Sequence, residues 1–348
     1  MQTAQKTDIR SLSKDEIAKA LGILGQPKYR AAQVYEWLWK KSAISFADMS
    51  NLPLALRNKL EELFCIQAVV VDKKQVSSDG TVKSRFKLHD GYFVEGVLIP
   101  EKDRMTACVS SQVGCSLACA FCATGKMDRM RNLNADEIYD EVVYIRRQAE
   151  EAFQLPLTNI VFMGMGEPML NYKNVLSGIE KITSPEGLGM SPQRITVSTA
   201  GVAKMIRKLG DDRVRFNLAL SLHAANDEKR NKIMNINETN NLEVLADALK
   251  YFYNCTGSRV TYEYIVFKDF NDSLDDAREL YEFSKHIPSK INLIEYNPIG
   301  DGMFTNADED KLERFKKFLE NKGVITTLRR SRGKDIDAAC GQLANKDK

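Results

Sequence analysis

Apolar positions in the first third of the chain recur at helical spacing. Ser13-Lys-Asp-Glu16 has the form of a capping box that opens a helix. A second helix is predicted near Tyr29 to Lys41, where Val34, Tyr35, Leu38 and Trp39 fall on one stripe. Pro53 precedes a third stretch, LALRNKLEELF. The period then changes to two. In VVVDKKQVSSDGTVKSRFKLHDGYFVEGVLIP the alternation turns about Asp79-Gly80, which predicts a β-hairpin. Lys83, Arg85 and Lys87 share one face of its second strand. From about Thr106 short apolar runs alternate with amphipathic ones. TACVSS, TNIVFMG, RITVST, FNLALSL, RVTYEYIVF and KINLIEY read as strands, and ADEIYDEVVYIRRQAEEAF and NLEVLADALKYFY are among the helices between them.

Six strand-then-helix units predict an α/β fold, a complete or partial TIM-like (β/α)6 barrel. A doubly wound open sheet is the alternative, because sequence does not show closure. The expected division is a helical accessory domain over 1–68, a β-hairpin linker over 69–100, the barrel over 101–335 and a C-terminal segment over 336–348.

The 348 residues are 43% hydrophobic, enough for a large core, and no apolar run reaches membrane-spanning length. MQTAQKTDIR lacks the charged-then-apolar layout of a signal peptide, so a cytoplasmic location is expected. A net charge of only +3 means that any nucleic-acid surface must be local. Seven cysteines in a reducing compartment suggest metal or redox chemistry before structural disulfides.

Four of the seven lie in CVSSQVGCSLACAFC. Cys115, Cys119 and Cys122 are spaced C-x-x-x-C-x-x-C, and Cys108 stands upstream. Thiolates are soft ligands for zinc or for iron–sulfur clusters. A zinc ribbon wants a second cysteine pair, which is missing, and crowding by chance is the bland reading. Three thiolates on a loop after the first barrel strand leave one iron of a cluster open for a ligand.

This motif in a βα barrel resembles the radical S-adenosylmethionine (SAM) enzymes. The resemblance implies that Cys115, Cys119 and Cys122 bind a 4Fe–4S cluster and that SAM takes the fourth iron. Phe121 suits the aromatic beside the cluster. Barrel active sites lie past the strands' C-terminal ends, and those positions carry polar residues and glycines. By resemblance, Gly166 and Glu167 of MGMGEP, Ser198, Ser221, Leu222, His223 and Asn297 are assigned to SAM. Singly, each is as well explained by turn or capping chemistry.

CVSSQVGC, MGMGEP and RGKDIDAACGQLA together resemble the RlmN/Cfr-type RNA methyltransferases over nearly the whole chain. That resemblance implies methylation of C2 of an adenine in the peptidyl-transferase region of 23S rRNA and of the adenine 3′ of certain tRNA anticodons, with two SAM per turnover. It implies Cys340 as the residue methylated in an S-methylcysteine intermediate. Cys108 then resolves a covalent protein–RNA adduct through a transient disulfide with Cys340. Glu95, in VEGVLIP, matches a proton acceptor, and whether Glu95 or Cys108 removes the C2 proton stays open. An electron donor such as flavodoxin or ferredoxin is implied, and no membrane partner. Cys65 and Cys255 read as small buried hydrophobes. Arg129, Arg131, Arg329, Arg330, Arg332 and Lys334, with the hairpin face, are the candidate phosphate contacts. The rivals are C8 methylation of the same adenosine and a non-catalytic iron–sulfur RNA-binding protein.

Overall fold

A computed structural model describes residues 6–346; the first five residues of MQTAQKTDIR and the last two of the C-terminal segment lie outside them. Three helices, α1 (Lys14–Ile23), α2 (Tyr29–Trp39) and α3 (Leu54–Leu63), form the N-terminal unit. The capping box is made: the Ser13 side chain accepts from the Glu16 N–H, and Glu16 accepts from the Ser13 N–H. The unit packs on α4 (Ala135–Phe153). There Trp39 meets Tyr139 edge-on at 5.2 Å, and the Tyr139 hydroxyl donates to the Trp39 carbonyl. Buried Arg10 forks onto both oxygens of Asp140, at 2.9 and 2.8 Å, and reaches Asp136 at 3.0 Å.

Ten strands make one sheet: β1 (Val70–Val76), β2 (Val82–Lys87), β3 (Phe93–Glu101), β4 (Arg104–Cys108), β5 (Asn159–Phe162), β6 (Ile195–Thr199), β7 (Asn217–Ser221), β8 (Val260–Val266), β9 (Ser289–Glu295) and β10 (Thr326–Arg329). Their order in space is their order in the chain. β1 to β4 pair antiparallel, and β4 to β10 pair parallel. The crossovers carry α4, α5 (Tyr172–Thr183), α6 (Ala203–Asp211), α7 (Asp227–Ile233) with α8 (Leu242–Thr256), α9 (Leu274–Ser284) and α10 (Glu309–Asn321). A doubly wound sheet needs a point where the strand order reverses. This order never reverses, so the right-handed crossovers stay on one side and the sheet curls into a barrel. β1 and β10 are not paired with each other, which makes the barrel partial.

All six predicted barrel strands form. A seventh parallel strand, β10, was not foreseen. It is four residues long and half-buried, and its sequence runs straight into ArgArgSerArg, which hides an apolar pattern. The hairpin turns at Asp79-Gly80, with Gly80 at φ +86° and the Thr81 N–H on Asp79 Oδ1 at 2.9 Å. It is the outer edge of the same sheet.

Two expectations need correction. Cys65 and Cys255 are half-buried rather than core. The basic face of β2 is not an open stripe. Lys83 is only 5% exposed and ion-paired to Glu95 at 3.3 Å, and Arg85 is held by Asp72 at 2.6 Å. Among the described residues no helix is long and apolar enough to cross a membrane.

Candidate active site

The loop after β4 carries the cysteine triplet. A short antiparallel pair, Gln112–Val113 with Arg131–Asn132, closes its base. Inside it the Cys122 N–H donates to the Cys119 carbonyl at 3.2 Å, and the Ala120 N–H to the Ile233 carbonyl at 3.0 Å. Gly125 is required by contact: a Cβ there would sit 2.9 Å from the Cys119 backbone nitrogen and oxygen. Cys119 and Cys122 pack against the apolar group around Phe121, Ala224, Ile233 and Phe267. Burial lifts the Cys115 thiol to about 11, and it lifts Cys119 further, helped by Cys122 and Cys115; Cys122 is raised by burial too. Three crowded, half-buried thiols are therefore poor thiolates on their own. A bound cationic centre reverses that preference, because thiolate ligation is coupled to its charge. Among the described residues no three histidine, cysteine or carboxylate side chains converge as a site for one metal ion. Three soft thiolate donors on one loop, close enough for Cys122 and Cys115 to raise Cys119, fit a 4Fe–4S cluster as a donor set.

Above the loop lie the strand ends. After β5 the chain passes through Gly166, at φ +94°, where a Cβ would be 2.4 Å from that of Gln112. Gln112 Oε1 accepts the Glu167 N–H at 2.8 Å. Glu167 is buried; its Oε1 accepts the Met169 N–H at 3.0 Å and its Oε2 the Ala200 N–H at 2.7 Å. Burial raises its pKa against those bonds. Ser198 and Ser221 face each other across β6 and β7, hydroxyl to hydroxyl, at 3.1 Å. Leu222 is fully buried, so only its backbone can serve a ligand, and its carbonyl already accepts from Arg230 Nε at 3.1 Å.

His223 follows in the left-handed region, at φ +56°. Its Nδ1 accepts the Ile265 N–H at 3.1 Å, and its ring meets Phe121 edge-on at 4.7 Å. Burial, and then Arg230, pull its pKa down to about 3. The imidazole is neutral at physiological pH, and because Nδ1 accepts, the proton is on Nε2. Asn297 is 3% exposed. Its Nδ2 donates to the Cys340 carbonyl at 3.2 Å, while its Oδ1 has no partner. A buried, unsatisfied acceptor is what a site for a hydrogen-bond donor presents.

Cys108 and Glu95 lie on neighbouring strands, and the C-terminal segment that carries Cys340 is bonded to Glu95. Cys108 ends β4, buried, and Val97 pairs with it from β3, two residues beyond Glu95. Burial pushes Cys108 up to about 12, followed by Cys340 and Glu141, while the Met163 N–H and Arg329 oppose. Cys340 is exposed as a residue, while the protein around its thiol lifts it to about 11; Arg329 opposes the rise and Cys122 adds to it. All seven thiols are free in this structure. Glu95 is 1% exposed. Besides Lys83 it takes the Ala344 and Asn345 N–H groups on Oε2, at 2.9 and 3.1 Å. The segment bearing Cys340 is thus fastened to β3, and to the cluster loop by Ala123 N–H to the Gly341 carbonyl at 2.7 Å and Thr124 Oγ1 to the Leu343 carbonyl at 2.6 Å.

Residues 109–283 match the radical SAM superfamily model, and residues 7–66 match the model of the ribosomal RNA large subunit methyltransferase N-terminal domain. A probable dual-specificity RNA methyltransferase RlmN of Cytophaga hutchinsonii is 64% identical over 99% of this chain and 94% of its own. The dual-specificity RNA methyltransferase RlmN of Geobacter sulfurreducens is 44% identical over 97% of this chain and 92% of its own. The chain belongs to the RlmN family of radical SAM RNA methyltransferases. A crystal structure of a radical SAM methyltransferase from Sphaerobacter thermophilus superposes at a TM-score of 0.92 with 37% identity, covering 98% of this chain and all of that one.

Within this RlmN-family site several pairings escaped the sequence reading. Arg329, on the unforeseen β10, points inward to Glu263 at 3.1 Å, and Asn292 steadies the other Glu263 oxygen at 2.8 Å. The side chain expected to contact phosphate is thus engaged by a carboxylate while remaining partly exposed. Arg330 is likewise held by Glu309, Lys334 by Glu295 at 2.8 Å, and Arg131 by Glu137 at 2.7 Å. Charge runs do not reveal such distant partners. Arg129 remains exposed, with one bond to Asn132 Oδ1 at 3.3 Å.

Proposed function

We propose that this enzyme methylates C2 of adenine in 23S rRNA and in tRNA, with Cys340 as the carrier of the transferred carbon. One observation supports the reading: the charge of Cys340 raises the Cys108 thiol and that of Cys122 raises the Cys340 thiol, so the three sulfurs lie within electrostatic reach along one stretch of the site. A 4Fe–4S cluster on Cys115, Cys119 and Cys122, with SAM at its open iron and an external electron donor such as flavodoxin or ferredoxin, would supply both a methyl group and the power to abstract a hydrogen atom.

The chain's own residues do the rest. Gly166 gives backbone room for SAM, and Glu167 offers the remaining lone pairs of a carboxylate to its ammonium. Ser198, Ser221, the Leu222 backbone, His223 Nε2–H and Asn297 Oδ1 offer further polar contacts. The Cys340 sulfur takes a methyl group from a first SAM. That S-methyl group loses a hydrogen atom to the deoxyadenosyl group that one-electron cleavage of a second SAM would supply, and its carbon bonds to adenine C2. The adduct then gives up one electron, which the cluster oxidised in cleaving the second SAM would accept, and the C2 proton, which goes to Glu95 or Cys108. The Cys108 thiolate next attacks the Cys340 sulfur. The sulfur–carbon bond breaks as the disulfide forms, and protonation leaves the carbon on adenine as a methyl group.

Adenine is neither nucleophilic nor acidic at C2, which is why a sulfur-borne carbon, rather than direct transfer, suits that position. Nucleoside mass spectrometry of 23S rRNA and tRNA incubated with reduced protein and SAM tests the reading. 2-Methyladenosine in both RNAs is expected. 8-Methyladenosine would point to the rival regiochemistry, and no methylated nucleoside together with no SAM cleavage would point to a binding protein.

A further inference from the structure

Arg230, in α7, is 0% exposed, and every acceptor around it is neutral. Nε and Nη2 hold the carbonyls of Leu222, Ala200 and Ser221, at 3.1, 2.6 and 3.3 Å, and Nη1 holds Asn237 Oδ1 at 2.6 Å. Among the described residues no carboxylate pairs with it. Asp227 is kept one step away by Asn237, whose Nδ2 donates to Asp227 Oδ1 at 2.8 Å. Buried charges are ordinarily paired, since an uncompensated one is costly. Burial lowers the Arg230 pKa only to about 10, so the charge persists at neutral pH.

The same short helix touches the cysteine loop directly. Ile233, one turn on, takes the Ala120 N–H, and Ile233 and Met234 pack with Cys119 and Cys122. Three thiolates around an iron–sulfur cluster leave an anionic centre that becomes more anionic on reduction. A fixed cation behind it, in a low-dielectric wall, favours the reduced form.

We propose that Arg230 is a positioning residue for electron transfer: its unpaired guanidinium, anchored to the ends of β6 and β7 behind the cysteine loop, raises the reduction potential of the cluster. The inference rests on cluster ligation by Cys115, Cys119 and Cys122, and iron content reports on that separately.

The test is a redox titration of reconstituted protein followed by electron paramagnetic resonance, with iron counted in each sample. R230Q removes the charge, R230K keeps it without the fork, and N237D supplies a carboxylate to neutralise the charge with the arginine in place. R230Q and N237D should show the reduced fraction fall about tenfold at fixed potential, equivalent to 59 mV for one electron, with full iron. R230K should stay near the wild type. Should R230Q not fold, N237D against R230K decides. Unchanged potentials in the charge-neutral variants at full iron overturn the proposal. An equal shift in R230K overturns it as well, because loss of the fork, not of charge, would then be the cause. Ligation is tested apart from the charge effect: Cys119→Ala should lose iron, and a Cys119→Ala protein that keeps full cluster content defeats the underlying ligation and leaves the charge effect without a target.

Discussion

Glu167 accepts the Met169 and Ala200 N–H groups, tying the glycine-rich turn to the end of β6, and in the proposed function it also meets the SAM ammonium. Glu167→Ala should therefore show two losses. SAM affinity should fall by about 2–5 kcal/mol in calorimetry, and the two orphaned amides should lower stability by about 1–3 kcal/mol in denaturant unfolding. His223 gives a pH signature. Its folded pKa, about 3, lies below the ordinary 6.5, so the fold prefers the neutral ring. That contribution is complete above pH 6.5 and is lost as pH falls toward 3. Unfolding curves across this window should lose on the order of a few kcal/mol more in the wild type than in His223→Gln. The residues that carry motifs were legible because chemistry fixes their type and spacing. Arg230 and Glu263 were not, since their partners are carbonyls and side chains far along the chain.

At the scale of elements, the period of the apolar positions was enough for the three N-terminal helices, the hairpin and six barrel strands. β10 failed the same reading because four half-buried residues give no period. The β2 face was misread for a related reason: alternation says which side chains share a face, not what covers it. What covers Lys83 is the C-terminal segment, whose carbonyl at Asp337 lies 3.4 Å from Lys83 Nζ. The hairpin turn is the other fastening. Asp79 accepts the Gly333 N–H at 2.9 Å, and Asp335 takes the Ser78 N–H at 3.0 Å. Asp79→Ala should loosen residues 333–345 without unfolding the barrel. Hydrogen exchange should show faster amide exchange at Gly333, Ala344 and Asn345, with β5 to β9 unchanged.

Across the whole molecule, the N-terminal unit is joined to the barrel by charge as well as by Trp39. Arg10 faces Asp8, Asp136 and Asp140 at once, with every partner largely buried. Arg10→Met should cost about 3–5 kcal/mol, because the acids are left facing one another. Burial lifts Asp136 to about 6 against the pull of Arg10. A raised carboxylate favours the fold as pH falls, so the variant should recover part of its stability between pH 7 and 5. Thermal unfolding at several pH values checks both the loss and its sign. The partial barrel itself follows from a strand order that never reverses, and it is this curl that brings the end of β4 within reach of the C-terminal segment.

The proposed exchange between Cys108 and Cys340 is the centre of the account, and the adduct test addresses it most directly. Protein purified from cells expressing Cys108→Ala, denatured and treated with nuclease, should yield by peptide mass spectrometry an RNA fragment bonded to Cys340 through one carbon. Cys340→Ala and the double variant should yield none. RNA trapped in Cys340→Ala but not in Cys108→Ala would reverse carrier and resolver, and its absence from both would contradict the covalent route.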